Sequence, residues 1–108
     1  MKKIQTKLFK TVTEKVKQTA LSFDENAQVI LFGSRARGDY KKDSDWDFLI
    51  LTDRTVDEVF KQKIRNKLFD TEIDTEQCIS SFIENKIEWQ YIEITDFYQN
   101  VCEDGIAV

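Results

Sequence analysis

The stretch "VILFGSRARGDYKKDSDWDFLIL", Val29–Leu51, decides the fold of this chain. Two apolar runs flank a polar segment, and the runs Gln28–Phe32 and Asp45–Thr52 predict strands buried on at least one face. The polar segment holds Gly33 and Gly38, two of the three glycines in the chain. Such a segment is either a plain turn between strands or a site for a charged ligand.

The start of the polar segment favours anion binding. A strand that ends in Gly33 and Ser34 and continues into a short helix points backbone N–H groups at a ligand, and a residue without Cβ lets an anion approach closely. Phosphate is the natural occupant, with the Ser34 hydroxyl as a further donor. Arg35 and Arg37 add charge-assisted contacts if their side chains reach it. A Gly-Ser pair alone is also typical of a plain turn.

The end of the segment favours a cation. Asp45 and Asp47 are two positions apart on the predicted strand, so they share one face while Trp46 and Phe48 take the other. Like charges this close repel unless solvent or a divalent cation lies between them. Carboxylate oxygens suit hard cations such as magnesium or manganese. The alternative interpretation is a solvated acidic turn, "KKDSDWD", whose lysines offset the charge.

The two features together indicate nucleotide transfer more strongly than either does alone. Ten residues separate Ser34 from Asp45, which places a triphosphate cradle and a metal site on adjoining elements. In nucleotide transfer, metal ions bridge phosphate oxygens and align the attacking hydroxyl with the leaving pyrophosphate. The protein supplies position and charge.

Composition limits the other functions open to the chain. Its 108 residues predict one domain, residues 1–108. A net charge of -4 argues against general nucleic-acid binding, which depends on a basic face. The absence of histidine excludes histidine-based triads and histidine-ligated zinc. No apolar run approaches the length of a membrane span, and the expected location is the cytoplasm.

The rest of the chain predicts an α/β domain in which helices and strands alternate. Apolar residues at Ile4, Leu8, Val12 and Val16 predict a first amphipathic helix. Further elements follow from caps and apolar runs: a helix capped by the box of Thr55 and Glu58, a third strand at about Cys78–Ile83, a short helix capped by the box of Asn85 and Glu88, and a last helix capped by Thr95 that stops at Gly105.

The segment "GSRARGDYKKDSDWDFLIL" resembles the signature of the DNA polymerase beta-like nucleotidyltransferases, above all the minimal nucleotidyltransferases of prokaryotes. The resemblance implies a short three- to four-stranded mixed sheet flanked by helices. It assigns Gly33 and Ser34 to triphosphate binding, and Asp45 and Asp47 to catalysis as metal ligands. It also implies two magnesium ions, with manganese as an alternative.

The activity that the resemblance implies is transfer of a nucleoside monophosphate, AMP from ATP or its counterpart from another nucleoside triphosphate, to a hydroxyl acceptor. Minimal nucleotidyltransferases often act with a helical partner of the HEPN type, and some are antitoxins that adenylylate their cognate toxin. The acceptor is then a partner protein. Assembly of the chain into a homo-oligomer is a further alternative that the sequence leaves open.

The predicted third strand departs from the family pattern. These enzymes usually carry a third carboxylate there, but "CISSFIE" has Ser80 at the corresponding position, and serine ionises too weakly to replace it. Four carboxylates are candidate replacements: Glu72, Asp74, Glu76 and Glu84. The alternative function is therefore a catalytically impaired module that binds nucleotide, a HEPN-type partner, or both.

Overall fold

The computed structural model describes residues 6–108, in which helices and strands alternate. The elements are α1 (Lys7–Phe23), β1 (Gln28–Phe32), α2 (Ser34–Arg37), β2 (Trp46–Thr52), α3 (Glu58–Thr75), β3 (Ile79–Asn85), α4 (Lys86–Gln90), α5 (Asp96–Asp104) and β4 (Ile106–Ala107).

The strands form one four-stranded mixed sheet in the order β3-β2-β1-β4. β1 runs antiparallel to both β2 and β4, whereas β2 and β3 are parallel and are joined by the crossover helix α3. The predicted fold class is therefore confirmed. β4 was not predicted, because a two-residue strand is too short to show an alternating pattern.

Both faces of the sheet are covered, which explains the long apolar run in β2. One face packs under α1 and α3, where Trp46 and Phe48 are buried with Val16 of α1. The other face packs under α4 and α5, where Leu49 and Leu51 lie. Alternate residues of β2 thus enter two different cores, as the period of a strand requires.

Side-chain caps set the helix boundaries. The Asn85 side chain accepts hydrogen bonds from two backbone N–H groups of α4, and Thr95 accepts one from α5, as predicted. The predicted capping box at Thr55 is wrong. The Asp57 carboxylate caps α3 by accepting from the Phe60 N–H at 2.8 Å, because aspartate is an equally good cap and lies directly before the first helical residue.

The first predicted helix is present as α1, with Val12 and Val16 buried. Ile4, the first residue of the predicted apolar stripe, lies outside the described residues. Within residues 6–108, no helix combines the length and the apolar character that crossing a membrane requires.

Candidate active site

The predicted glycine and aspartate segments meet because β1 and β2 are antiparallel. Phe32, the last residue of β1, pairs with Asp47 near the start of β2. The next residue, Gly33, has a positive φ of 75° and begins α2 as its N-cap. A Cβ atom at Gly33 would collide with Oδ2 of Asp47. Only glycine fits here, both for its backbone conformation and for the space that the carboxylate takes.

The α2 helix is a single turn that redirects the chain from β1 to the aspartates. Its first residue, Ser34, lies directly beyond the strand end, and its C-cap, Gly38, adopts the left-handed conformation with φ 92°. The Gly38 N–H donates to the Ser34 carbonyl at 2.9 Å. The two glycines thus serve different purposes: Gly33 leaves room for the Asp47 carboxylate, and Gly38 ends the helix.

Asp45 and Asp47 form an acidic pair at the start of β2. Asp47 is half-buried on the sheet face that carries Leu49, while Asp45 precedes the strand and is exposed. Burial raises the pKa of the Asp47 carboxyl, the negative charge of Asp45 raises it further, and Arg37 acts in the opposite direction. The two carboxylates repel each other, and carboxylate oxygens are the ligands that hard divalent cations prefer. The pair therefore fits a divalent cation.

Three phenylalanine rings pack together beside Asp47. The centroid of Phe82 lies 5.7 Å from Phe32 and 5.1 Å from Phe97. Phe32 is the β1 residue paired with Asp47, so the carboxylate lies next to an apolar cluster on one side. This environment accounts for the burial that disfavours its ionised form.

Ser80 lies beside Asp47 on the other side. The parallel pairing of β2 and β3 makes the two residues register partners, so their side chains leave the same face of the sheet. In the part of the chain that the structure describes, no group of three or more metal-ligating side chains forms. The strand thus presents a hydroxyl at the position predicted for the third carboxylate.

The four candidate replacement carboxylates lie elsewhere. Glu72 accepts from the backbone N–H of Ile79 at 2.8 Å, and Asp74 pairs with Lys15 at 3.8 Å. Glu76 is the C-cap of α3 with a positive φ of 56°. Glu84 is on β3, but four residues beyond Ser80, which is about 13 Å along a strand.

Arg35 points away from the expected phosphate position and into the protein. Only 6% of it is exposed, and its guanidinium donates to the backbone carbonyls of Lys42 and Ser44. The predicted contact between Arg35 and nucleotide stays a prediction. No local pattern in the sequence indicates this inward orientation, because the two accepting carbonyls lie seven and nine residues away on a loop.

Arg37 remains at the surface and links α2 to the end of the chain. It donates to Asp39 at 3.2 Å and to Asp104 of α5 at 2.8 Å. The hydrogen bonds from Arg37 to Asp104 and to Asp39 raise the pKa of the guanidinium. Sequence reasoning missed Asp104, which is 67 positions away and belongs to no recognisable motif.

Comparisons with known proteins agree with this geometry. The family model of the nucleotidyltransferase domain matches residues 10–106. A crystal structure of a toxin-antitoxin with AMP-PNP is similar in fold, with a TM-score of 0.63 and 18% identity over 87% of this chain and 69% of that chain. A second structure, of a protein provisionally described as a nucleotidyltransferase, has a TM-score of 0.57 and 25% identity over 76% of this chain and 87% of that one. No curated protein matches the chain significantly.

Proposed function

The chain belongs to the nucleotidyltransferase domain family, and from this premise we propose that it moves a nucleoside monophosphate, AMP from ATP, to a hydroxyl acceptor with the help of magnesium. The observation that carries the proposal is the contact between Gly33 and Asp47 across β1 and β2. It brings a backbone suited to phosphate against a carboxylate suited to a cation. We propose that residues 1–108 act as one minimal nucleotidyltransferase domain.

The phosphate side of the site is assigned to Gly33 and Ser34. The missing Cβ of Gly33 leaves room for the β- and γ-phosphates of ATP, and the backbone N–H and hydroxyl of Ser34 donate to their oxygens. Arg37 contributes positive charge at the same turn, held in place by Asp104. The proposed nucleotide contacts therefore come from Gly33, Ser34 and Arg37, whereas the buried guanidinium of Arg35 is engaged by the Lys42 and Ser44 carbonyls.

The metal side of the site is assigned to Asp45 and Asp47, whose carboxylates would hold magnesium, or manganese in its place. When bound, such ions would neutralise the charge that develops on the leaving pyrophosphate. Asp47 is the better positioned of the two, because it lies on β2 itself and against Gly33. Asp45 precedes the strand and adjusts more freely.

Group transfer in this arrangement forms one bond and breaks one. The acceptor oxygen bonds to the α-phosphorus, the bond from the α-phosphorus to the bridging oxygen breaks, and pyrophosphate leaves towards Gly33 and Ser34. The acceptor approaches from the opposite side, over β3, because displacement at phosphorus is in line. Ser80 lies on that side, so we propose that the acceptor or the protein that carries it brings the base that removes the hydroxyl proton.

A helical protein of the HEPN type is the proposed carrier of the acceptor. Support comes from the fold neighbour solved as a toxin-antitoxin with AMP-PNP, which is a property of that protein. The exposed apolar side chains of the α4–α5 region, Ile87, Tyr91 and Ile94, are suited to contact such a partner.

The test uses ATP labelled on the α-phosphate, with magnesium, and follows transfer of the label. It is run with and without a helical protein encoded next to this chain. We expect label on that protein, and loss of label with Asp47→Asn. Ser81→Ala is the matched control, since Ser81 lies on the opposite face of β3 from Ser80. Absence of label on any acceptor, with magnesium-dependent ATP binding intact, would support the non-transferring binding module instead.

A further inference from the structure

We propose that Arg35 is a positioning residue that fixes the aspartate loop against the glycine–serine turn and does not itself contact nucleotide. The aspartate loop is defined here as residues 42–46, and the glycine–serine turn as residues 33–35. The proposal deepens the proposed function and rests on it. It assigns to Arg35 a task that its place in the "GSRAR" segment does not suggest.

The guanidinium of Arg35 is held on its edges by the aspartate loop. Its Nε donates to the Ser44 carbonyl at 3.3 Å, and one Nη donates to the same carbonyl at 3.1 Å and to the Lys42 carbonyl at 3.2 Å. Ser44 is the residue directly before Asp45. A planar guanidinium that donates through two nitrogens to one oxygen fixes direction as well as distance.

The faces of the same guanidinium are held by two rings. Its central carbon lies 4.3 Å from the centroid of Tyr40 and 4.5 Å from that of Trp46. Trp46 separates Asp45 from Asp47 in the chain and is only 2% exposed. Arg35 therefore contacts the residue on each side of Asp45, and stacking of this kind adds attraction when it is desolvated.

A third site segment joins the same cluster through Gln77, in the connection between α3 and β3. The Gln77 side-chain oxygen accepts from the Trp46 indole N–H at 3.0 Å and from Arg35 at 3.4 Å. Ser80 follows three positions later on β3. One guanidinium thus connects the segments that carry Gly33, the aspartate pair and Ser80.

The consequence is functional because catalytic groups must be held within a fraction of an ångström. Arg35 belongs to the same turn as Ser34, so loss of its contacts would leave the glycine–serine turn free to shift relative to the aspartate loop. A misplacement of about 1 Å costs on the order of a hundredfold in rate. Arg35→Lys keeps the charge but loses the planar fork and the stacking.

The test compares Arg35→Lys with two control variants. Arg54→Lys changes an arginine that also donates to a backbone carbonyl, that of Phe23, and lies over a ring, that of Phe60, but does so beyond the opposite end of β2. Val16→Ala removes buried methyl groups from α1 and serves as a stability control. The measurements are the Kd for magnesium-ATP and amide hydrogen exchange of the nucleotide-free protein.

We expect Arg35→Lys to raise the Kd by about tenfold or more, because bound nucleotide must then order two segments that Arg35 otherwise holds in place, while both controls stay within about twofold of the unchanged protein. Amides of the aspartate loop and of the glycine–serine turn should exchange faster together in Arg35→Lys only. An unchanged Kd, or equal losses in all three variants, overturns the proposal. If the unchanged protein binds no ATP, the proposed function fails, and the exchange data alone decide whether Arg35 couples the two segments.

Discussion

Ser80 and Asp47 are register partners on the parallel strands β3 and β2, with their side chains on one face of the sheet. Neighbouring strands are about 4.8 Å apart, so a carboxylate at position 80 would lie directly beside the acidic pair. The chain carries a hydroxyl there instead. In the proposed assignment, the residues for phosphate and metal are present, and the departure from the family pattern lies at position 80.

Restoring a carboxylate at this position tests that reasoning. We expect Ser80→Asp to lower the free energy of unfolding without metal by up to about 1 kcal/mol, because it places a third negative charge beside Asp47. The same variant should bind manganese more tightly and regain stability in its presence. Thermal unfolding with and without manganese measures both effects. Ser80→Asn has a similar shape without the charge and should show neither.

Neutralising Asp47 should change how stability depends on pH. Because its pKa is raised in the folded protein, the native state keeps the proton to higher pH than the unfolded chain does, and ionisation lowers the free energy of unfolding as the pH rises through this range. Asp47→Asn should remove that loss, raising metal-free stability above this range by a few tenths to about 1 kcal/mol. Urea unfolding between about pH 3 and 7 measures the difference.

The same variant should lose the stabilisation that magnesium-ATP gives the unchanged protein. If magnesium-ATP still raises the Tm of Asp47→Asn by the full amount, Asp47 is not a metal ligand.

Asp24 provides the opposite pH dependence. Its carboxylate accepts from the Thr52 hydroxyl at 2.6 Å and from the backbone N–H groups of Asn26 and Asp53, and these hydrogen bonds lower its pKa. The ionised Asp24 therefore adds to the free energy of unfolding above the pKa that this carboxyl has in the unfolded chain. This stabilisation is lost as the pH falls through the lowered pKa of the folded protein. Asp24→Asn should therefore cost about 1 kcal/mol at neutral pH and progressively less in acid. Urea unfolding at neutral and at acid pH measures this difference. Equal destabilisation by Asp24→Asn at the two pH values would show that the Asp24 carboxylate is not stabilised in its ionised form.

Adding a methyl group at Gly33 should affect stability and binding together. Gly33→Ala places a Cβ against Asp47 at a φ of 75°, so we expect a loss of about 1–3 kcal/mol from backbone strain and displacement of the carboxylate. Magnesium-ATP affinity should fall as well. Gly38→Ala is the control, because it has a positive φ but follows α2 and lies away from the phosphate position. It should lose stability while keeping ATP affinity, and equal losses of affinity would refute the special role of Gly33.

Local patterns were enough to predict most elements and the identity of the acidic pair. The alternation in β2 put Asp47 on one face and Trp46 on the other, and the caps at Asn85 and Thr95 mark the last two helices. These features depend on residues a few positions apart, whose periodicity and hydrogen-bonding preferences act in any context. The wrong prediction of Thr55 as a cap has an equally local cause, because Thr55 and Asp57 can both cap a helix and lie two positions apart.

The tertiary structure decided which segments meet. Only the pairing of β1 with β2 brings Gly33 to Asp47, and only the register of β3 puts Ser80 beside it. The same holds for the inward orientation of Arg35 and for the contact of Arg37 with Asp104. Each joins two segments, and neither segment by itself indicates that they meet. The sequence by itself determined which chemical groups the site contains and which helices and strands carry them, because the preferences that form these elements act over a few residues. Their arrangement was decided by strand register and by burial in two cores, which depend on the whole chain at once.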